Sequence, residues 1–238
     1  MLKKLCVLAI ILGLSACASN TPLKQTAVED MRANDVAVAF AYPEKKINYD
    51  ELVYKVLWNE MRSATASFEG IWDIDRDFSQ QFSQQFQEEG LHTVAINDIL
   101  DDNEYAKFTD MMTTYVPNAQ QGAKFSVDEK LRTSLLDKGI EYLIAMRGIN
   151  IHVQASSGFG LNPRVTLAYR MNVVDLRKNS VEYSNVFFLG AVPDVDKSAR
   201  EIEDNGLAKL RTELAKSIKT SFEKGMVTKQ LGMVAAAQ

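Results

Sequence analysis

Only two histidines, His92 and His152, are available in this chain for general-base catalysis or metal binding. They lie far apart, each within a stretch that predicts a strand, and neither has an H-E-x-x-H or Cys-His spacing. No G-x-S-x-G elbow or Walker loop occurs, and the segment SSGFGLNP lacks the third glycine of a nucleotide-binding loop. This pattern favours packed or edge-exposed histidines, and we expect neither enzymatic activity nor a cofactor.

Two clusters of acidic residues could bind a cation. The first lies in the segment DIDRDFSQ and consists of Asp73, Asp75 and Asp77. It resembles the start of a calcium loop, but Phe78 stands where that loop needs glycine and Gln84 where it needs glutamate. The second consists of Asp98, Asp101, Asp102 and Glu104. Carboxylates stabilise a helix N-terminus by about 0.3 to 1 kcal/mol each, and we expect that role at both clusters rather than a metal site.

Aromatic side chains could form a partner-binding surface, because they are enriched among binding hot spots. The residues Phe78, Phe82 and Phe86 are spaced four apart, and a stripe at this spacing more often packs in a core. Phe159 lies between two glycines in a predicted loop, where it is hard to bury. We predict Phe159 and Trp72 as possible partner-binding residues.

The N-terminal segment has the parts of a secretion signal. Lys3 and Lys4 are followed by an apolar run at residues 5–14 and then by small residues. A transmembrane helix needs about 20 apolar residues, so this run is too short to span a bilayer. Cys6 lies inside the signal, which leaves one cysteine beyond it and no disulfide to form.

The signal ends in a short motif that is similar to one found in a known protein family. The sequence LSAC, which is Leu14, Ser15, Ala16 and Cys17, resembles the lipobox of bacterial lipoproteins. The resemblance implies cleavage before Cys17, diacylglycerol on its thiol and a further acyl chain, such as palmitate, on the new amino group. Several acyl chains anchor a protein stably. Ala18, where an aspartate would favour the inner membrane, implies the outer membrane and its periplasmic face. The alternative is an ordinary secretion signal with a chance cysteine.

Composition predicts one globular domain behind this anchor. Apolar residues make up 46% of the chain and charged residues 24%, which is typical of globular proteins. The net charge of −4 lacks the basic surplus of a nucleic-acid-binding protein. The predicted organisation is a signal peptide at 1–16, the lipidated cysteine and a tether at 17–35, an α/β domain at 36–225 and a C-terminal tail at 226–238.

Hydrophobic periodicity predicts the elements of that domain. The predicted helices cover residues 49–66, 75–89, 101–112, a segment that begins at Ser126, and 200–224. The predicted strands cover residues 36–40, 91–96, 140–154, 164–175 and 181–191, and the last two form a hairpin around Arg177. The fold class is therefore α/β, or more closely α+β: a mixed, partly antiparallel sheet of about five strands with helices packed on it.

This order of elements is similar to that of periplasmic lipoproteins such as the curli-secretion pore lipoprotein and the lipoprotein activators of penicillin-binding proteins. The resemblance covers about residues 36–224 as a pattern and carries over no functional residues. It implies a non-enzymatic, outer-membrane-anchored protein that binds another envelope protein or supports an envelope assembly. One alternative is a carrier or sensor of a small apolar or cell-wall ligand held between sheet and helices. Another, the least favoured, is a glycan hydrolase that uses two carboxylates.

Overall fold

The structure, a computed structural model, describes residues 22–54, 58–115, 125–157, 164–191 and 207–233. The helices are α1 (Gln25–Ala33), α2 (Ile74–Glu88), α3 (Asp102–Thr114), α4 (Glu129–Asp137), α5 (Leu207–Glu223) and α6 (Met226–Gln230). The strands are β1 (Asp35–Ala41), β2 (Lys46–Tyr54), β3 (Asn59–Ser67), β4 (His92–Ala95), β5 (Ile140–Ser157), β6 (Arg164–Asp175) and β7 (Ser180–Ala191). The predicted fold class is confirmed, and the sheet has seven strands where about five were expected.

The long strand β5 organises the sheet. Along one side, its first half pairs in parallel with β1, which in turn pairs in parallel with β4. Its second half pairs in parallel with β2, the first strand of the antiparallel β2–β3 hairpin. Along its other side, β5 pairs with β6 in an antiparallel register, and β6 continues into β7. The sheet is therefore mixed, with β3, β4 and β7 at its edges.

A bulge in β5 marks the point where its partner changes from β1 to β2. The register with β6 shifts between Gly148 and Asn150. The ring of Tyr42 packs here so closely that a Cβ atom on Gly148 would lie 2.5 Å from its Cδ2 atom. The Tyr42 hydroxyl donates to the carbonyl of Lys46 at 2.7 Å and accepts from the backbone N–H of Ile151 at 3.1 Å. These two bonds connect the end of β1 to the start of β2 and to the second half of β5.

Helices pack on one side of the sheet, which we name face A. The predicted aromatic stripe of α2, Phe78, Phe82 and Phe86, is wholly buried there against Phe40 of β1 and Phe222 of α5. Buried residues of α1 and α6 extend the same core. Each ring removes a large apolar area from water, which is worth about 25 cal/mol per Å².

Helices cover only half of the opposite side, face B. Ala37 and Ala39 of β1 and Leu143 of β5 pack there against residues of α3 and α4 in a second core. These helices begin at side-chain caps. Asp101 forms a capping box with Glu104 at α3, and Asp128 caps α4. The second half of β5 and the neighbouring parts of β2, β3, β6 and β7 have no helix above them among the described residues.

The helix predicted at 49–66 is wrong, since this segment forms the hairpin of β2 and β3. Tyr49, Leu52 and Val53 recur at helical spacing, but the aromatic Tyr49 and the β-branched Val53 also suit a strand. Pairing with the second half of β5 decides the outcome, because tertiary contacts override weak local propensity. The predicted helices 75–89 and 101–112 and the three long late strands are confirmed.

Folded structure extends beyond the predicted domain bounds at both ends. Within the segment predicted as a tether, α1 packs on the core through Ala27, Val28 and Met31. Within the segment predicted as a tail, α6 follows directly and Met233 is buried. The lipobox residues 14–17 and Phe159 lie outside the described residues, as does the start of the helix predicted at 200–224.

Candidate binding surfaces

We name the half of face B that no described helix covers the open face. It carries Asn48, Asp50, Met61, Ser63, Thr65, Asn150, His152, Thr166, Ala168, Arg170, Val186 and Phe188, as the strand registers place them. Two apolar side chains are well exposed on it, Phe188 at 65% and Met61 at 55%. Met61 lies on the edge strand β3 and Phe188 on the opposite edge strand β7, and aromatic residues such as Phe188 are enriched among binding hot spots.

A row of polar side chains crosses the open face from β3 to β5. The Ser63 hydroxyl donates to Oδ1 of Asp50 at 2.5 Å, and Nε2 of His152 lies 2.7 Å from Oδ2 of the same carboxylate. Both contacts lower the pKa of Asp50, with that from Ser63 the larger. In a nucleophilic triad the imidazole must stand between the hydroxyl and the carboxylate. Here the carboxylate stands in the middle, so this row does not activate Ser63.

Two arginines face each other where the open face meets the part covered by helices. Arg147 of β5 lies directly opposite Arg170 of β6, and like charges in this position repel. Within the described ranges, neither has a carboxylate within 4.0 Å. Nε of Arg147 donates to the carbonyl of Met112 at the C-terminal end of α3, at 2.9 Å, where the helix dipole favours a cation.

The second arginine is less well satisfied. Arg170 donates from one terminal nitrogen to the Ser184 hydroxyl at 3.3 Å, while its buried Nε has no hydrogen-bond partner. Asn172, two residues along the same face, is only 1% exposed, and neither its amide nitrogen nor its oxygen has a partner. This margin of the open face therefore holds positive charge without a matching carboxylate.

A cleft of about 450 Å³ lies at the β7 edge of the sheet, between β7 and the junction of α5 with α6, and it shares Val186 and Phe188 with the margin of the open face. We name it the β7–α6 cleft. Its lining residues are Tyr169, Val186, Phe187, Phe188, Leu189, Ser221, Lys224, Gly225, Met226, Val227, Lys229 and Gln230. Such a volume is within the range of small-molecule sites. At one end, the amide of Asn185 donates to the side-chain oxygen of Gln230 at 2.9 Å and ties α6 to β7.

Two buried polar side chains line this cleft, and they differ in their hydrogen bonding. The Ser221 hydroxyl donates to the carbonyl of Ile218 at 2.6 Å. The Tyr169 side chain is 0% exposed, and its hydroxyl has no hydrogen-bond partner among the residues that the structure describes. Burial raises the pKa of this phenol, so it keeps its proton and remains a donor. An unsatisfied buried hydroxyl is costly, which makes Tyr169 unusual in this core.

The structure places the residues singled out in the sequence in different surroundings. His92 is exposed on the edge strand β4, which β1 separates from the first half of β5, whereas His152 lies in the second half of β5, beside β2. Trp72, predicted as a possible partner-binding residue, is 4% exposed, and its indole N–H donates to Asp77 at 2.7 Å. Its ring packs on Phe68 and Phe78. This placement leaves the indole little surface for a partner.

The three aspartates of the calcium-like segment point to separate partners. Asp73 caps α2 by accepting from the backbone N–H of Arg76 at 3.2 Å. Asp75 is buried, where it accepts from the N–H of Tyr42 at 2.8 Å and pairs with Lys45. Burial raises the pKa of Asp75 although Lys45 opposes the shift. Asp77 accepts from Trp72 and from Arg211. Within the described part of the chain, no three metal-binding side chains are grouped to hold an ion.

Several residues of these surfaces were not singled out as candidate sites from the sequence. The alternation of residues 164–175 places Arg170 and Asn172 on the face opposite Tyr169, which was a usable signal for the open face. Arg147, an arginine within a mostly apolar strand, was a second signal. No sequence signal distinguishes the Tyr169 hydroxyl from that of any other buried tyrosine.

Comparison with known proteins gives remote structural likeness. No family model and no curated protein matches this chain. Among solved structures, the chain is similar to the hypothetical protein CT253 from Chlamydia trachomatis, with 16% identity, coverage of 86% of this chain and 99% of that one, and a TM-score of 0.45. It is also similar to protein XCC0632 from Xanthomonas campestris, with 9% identity, coverage of 84% and 86%, and a TM-score of 0.40. A third is the lipoprotein GNA1162 from Neisseria meningitidis, with 9% identity, coverage of 77% and 99%, and a TM-score of 0.35.

Proposed function

We propose that this chain is a lipid-anchored protein of the outer membrane, facing the periplasm, that binds another envelope protein on its open face without catalysing a reaction. The anchor is Cys17 of the lipobox, which carries diacylglycerol and an amide-linked acyl chain. None of the helices within the described residues is long and apolar enough to cross a membrane.

The observation that carries the proposal is the part of the sheet that no helix covers among the described residues, beside the two cores on which helices pack. An antiparallel sheet with one solvated face normally presents polar residues there. The open face is mostly polar, and it also carries the exposed Met61 and Phe188 at its two edges and the arginine pair at its margin. A partner that contributes an apolar side chain and a carboxylate would cover the exposed apolar residues and neutralise the arginine pair.

The row of polar side chains on this face supports a binding role. The carboxylate of Asp50 already accepts from Ser63 and from His152, so it orders the polar row across β2, β3 and β5. In a protein interface, hydrogen-bonded polar groups of this kind surround the apolar anchor residues, orient the partner and give specificity. We therefore assign the row to partner recognition.

Photo-crosslinking in intact cells tests the proposal. A photoreactive amino acid at position 188, in the otherwise full chain, should yield one discrete protein adduct, and Arg170→Gln should reduce its amount several-fold. The matched control is the same photoreactive residue at position 219, which is exposed on α5 and remote from the open face. An adduct of equal yield at both positions, or none at position 188, would overturn the proposal.

A further inference from the structure

The β7–α6 cleft has features of a ligand site that the open face lacks, and its interpretation does not depend on the proposed protein partner. We propose that this cleft binds a single-chain amphiphile that carries an anionic head group and a carbonyl oxygen at the start of its acyl chain. The acyl chain lies on the apolar lining, the carbonyl accepts from Tyr169 and the head group pairs with two lysines.

The lining fits an acyl chain. Phe187 and Leu189 of β7 and Val227 of α6 are buried core residues that also line the cleft, and Met226 beside them is exposed. Methionine adapts its shape to apolar ligands because its side chain is unbranched and polarizable. Burial of a ligand chain against these residues gains about 0.8 kcal/mol per methylene group.

The Tyr169 hydroxyl fits a carbonyl acceptor. It is fully buried and lacks a partner, while the ring itself is held by stacking on Phe187 at 5.5 Å and by contact with Phe82 at 5.4 Å. Buried hydroxyls in native proteins nearly always have a partner, so each exception needs an explanation. A ligand oxygen in the cleft supplies the missing acceptor.

The charge at the mouth of the cleft fits an anionic head group. Lys224 and Lys229 are exposed there, and within the described ranges neither has a carboxylate within 4.0 Å. Their nearest acidic neighbour on α5, Glu223, lies 3.9 Å from Lys219. Gly225 between the helices has φ +65°, and the stem of Lys229 packs so close to it that an added Cβ would lie 3.1 Å from Cε. The turn thus holds Lys229 against the cleft.

Photolabelling of the full processed chain in phosphatidylcholine nanodiscs tests this proposal. The probe is lysophosphatidylglycerol with a diazirine in its acyl chain. We expect labelled peptides that contain Leu189 or Val227, and labelling about five-fold weaker in Tyr169→Phe, which corresponds to the loss of one hydrogen bond. The control Tyr183→Phe, a buried tyrosine of β7 outside the cleft lining, should label like the parent chain.

Two further comparisons separate the carbonyl and the charge. An ether-linked probe lacks the carbonyl, so it should label the parent chain only as weakly as the ester-linked probe labels Tyr169→Phe. The ether-linked probe should also label the parent chain and Tyr169→Phe equally. Replacing both Lys224 and Lys229 by Gln should lower labelling, whereas Lys219→Gln should not. Labelling spread over peptides outside the cleft, or equal labelling of the parent chain and Tyr169→Phe, would overturn the proposal.

Discussion

Replacement of Tyr169 by phenylalanine should stabilise the unliganded protein. The substitution removes a buried hydroxyl that has no partner and keeps a ring that packs on Phe40, Phe82 and Phe187. Leaving a buried polar group unsatisfied costs about 1 to 3 kcal/mol, so the free energy of unfolding should rise by about 1 kcal/mol or more. For a chain of this length, each kcal/mol corresponds to about 2 to 4 °C in Tm.

Urea unfolding, followed by circular dichroism at constant pH without added lipid, measures this change. The matched control, Tyr183→Phe, removes a hydroxyl that accepts from the amide of Asn185 at 3.2 Å. The control should therefore lose about 0.5 to 1.5 kcal/mol, and the two Tyr→Phe changes should have opposite signs. A destabilised Tyr169→Phe would show that the hydroxyl is bonded in the native protein and would refute the reasoning about the cleft.

Three further substitutions test the fold. Gly148→Ala should lower the free energy of unfolding by about 1 to 3 kcal/mol because its Cβ would overlap a tyrosine ring, whereas Gly190→Ala, in open space, should have little effect in the same urea titration. Lys45→Met should lower the free energy of unfolding, measured in urea, by about 3 kcal/mol because it leaves the buried carboxylate of Asp75 without its cation. The loss should be greater at pH 8 than at pH 5. Burial already raises the pKa of Asp75, so at the lower pH more of this carboxyl is protonated and needs no cation. Contacts with Lys138 and Ser134 lower the pKa of Glu104 to about 2. The ionised carboxylate therefore stabilises the fold above about pH 4.5, and this stabilisation is lost as the pH falls towards 2. In an acid titration, the free energy of unfolding of Glu104→Gln should fall less than that of the parent chain between these pH values.

Much of the sheet and its helices could be predicted because these elements bury one side only. The stripe of Phe78, Phe82 and Phe86 has a helical period since α2 packs on face A through that side alone. Residues 164–175 alternate because β6 has a core on face A and solvent or a partial cover on face B. When only one side of an element is buried, its apolar residues recur with the period of a helix or of a strand, and this period predicts which of the two forms.

The β2–β3 hairpin could not be predicted in this way. Ile47 and Tyr49 are buried, but the residues from 50 to 53 are half-buried on both faces, so the alternation fades towards the end of the strand. The partner that fixes this strand, the second half of β5, lies about 100 residues away in the sequence. Pairing at such separation leaves no local pattern, and the spacing of the apolar residues indicated a helix instead.

The two candidate surfaces depend on contacts across the chain and on the absence of partners. Tyr169 meets residues 221–230 only because α5 packs beside β7. Arg147 and Arg170 face each other only through the register of β5 with β6. An unpaired hydroxyl or guanidinium is a property of the folded surroundings, so the residue types alone do not reveal it. The cysteine proposed as the anchor, Cys17, by contrast belongs to a contiguous sequence motif, so the sequence alone is enough to predict it.

The mass of the N-terminal peptide of the processed chain tests the proposed anchor most directly. The account predicts that the mature protein begins at Cys17 and that its first peptide carries diacylglycerol on the thiol and one amide-linked acyl chain. The protein should also fractionate with the outer membrane, and Cys17→Ser should release it from the membrane. A first peptide with an unmodified thiol, or with the residues before Cys17 still attached, would contradict the proposed anchor and the proposed location together.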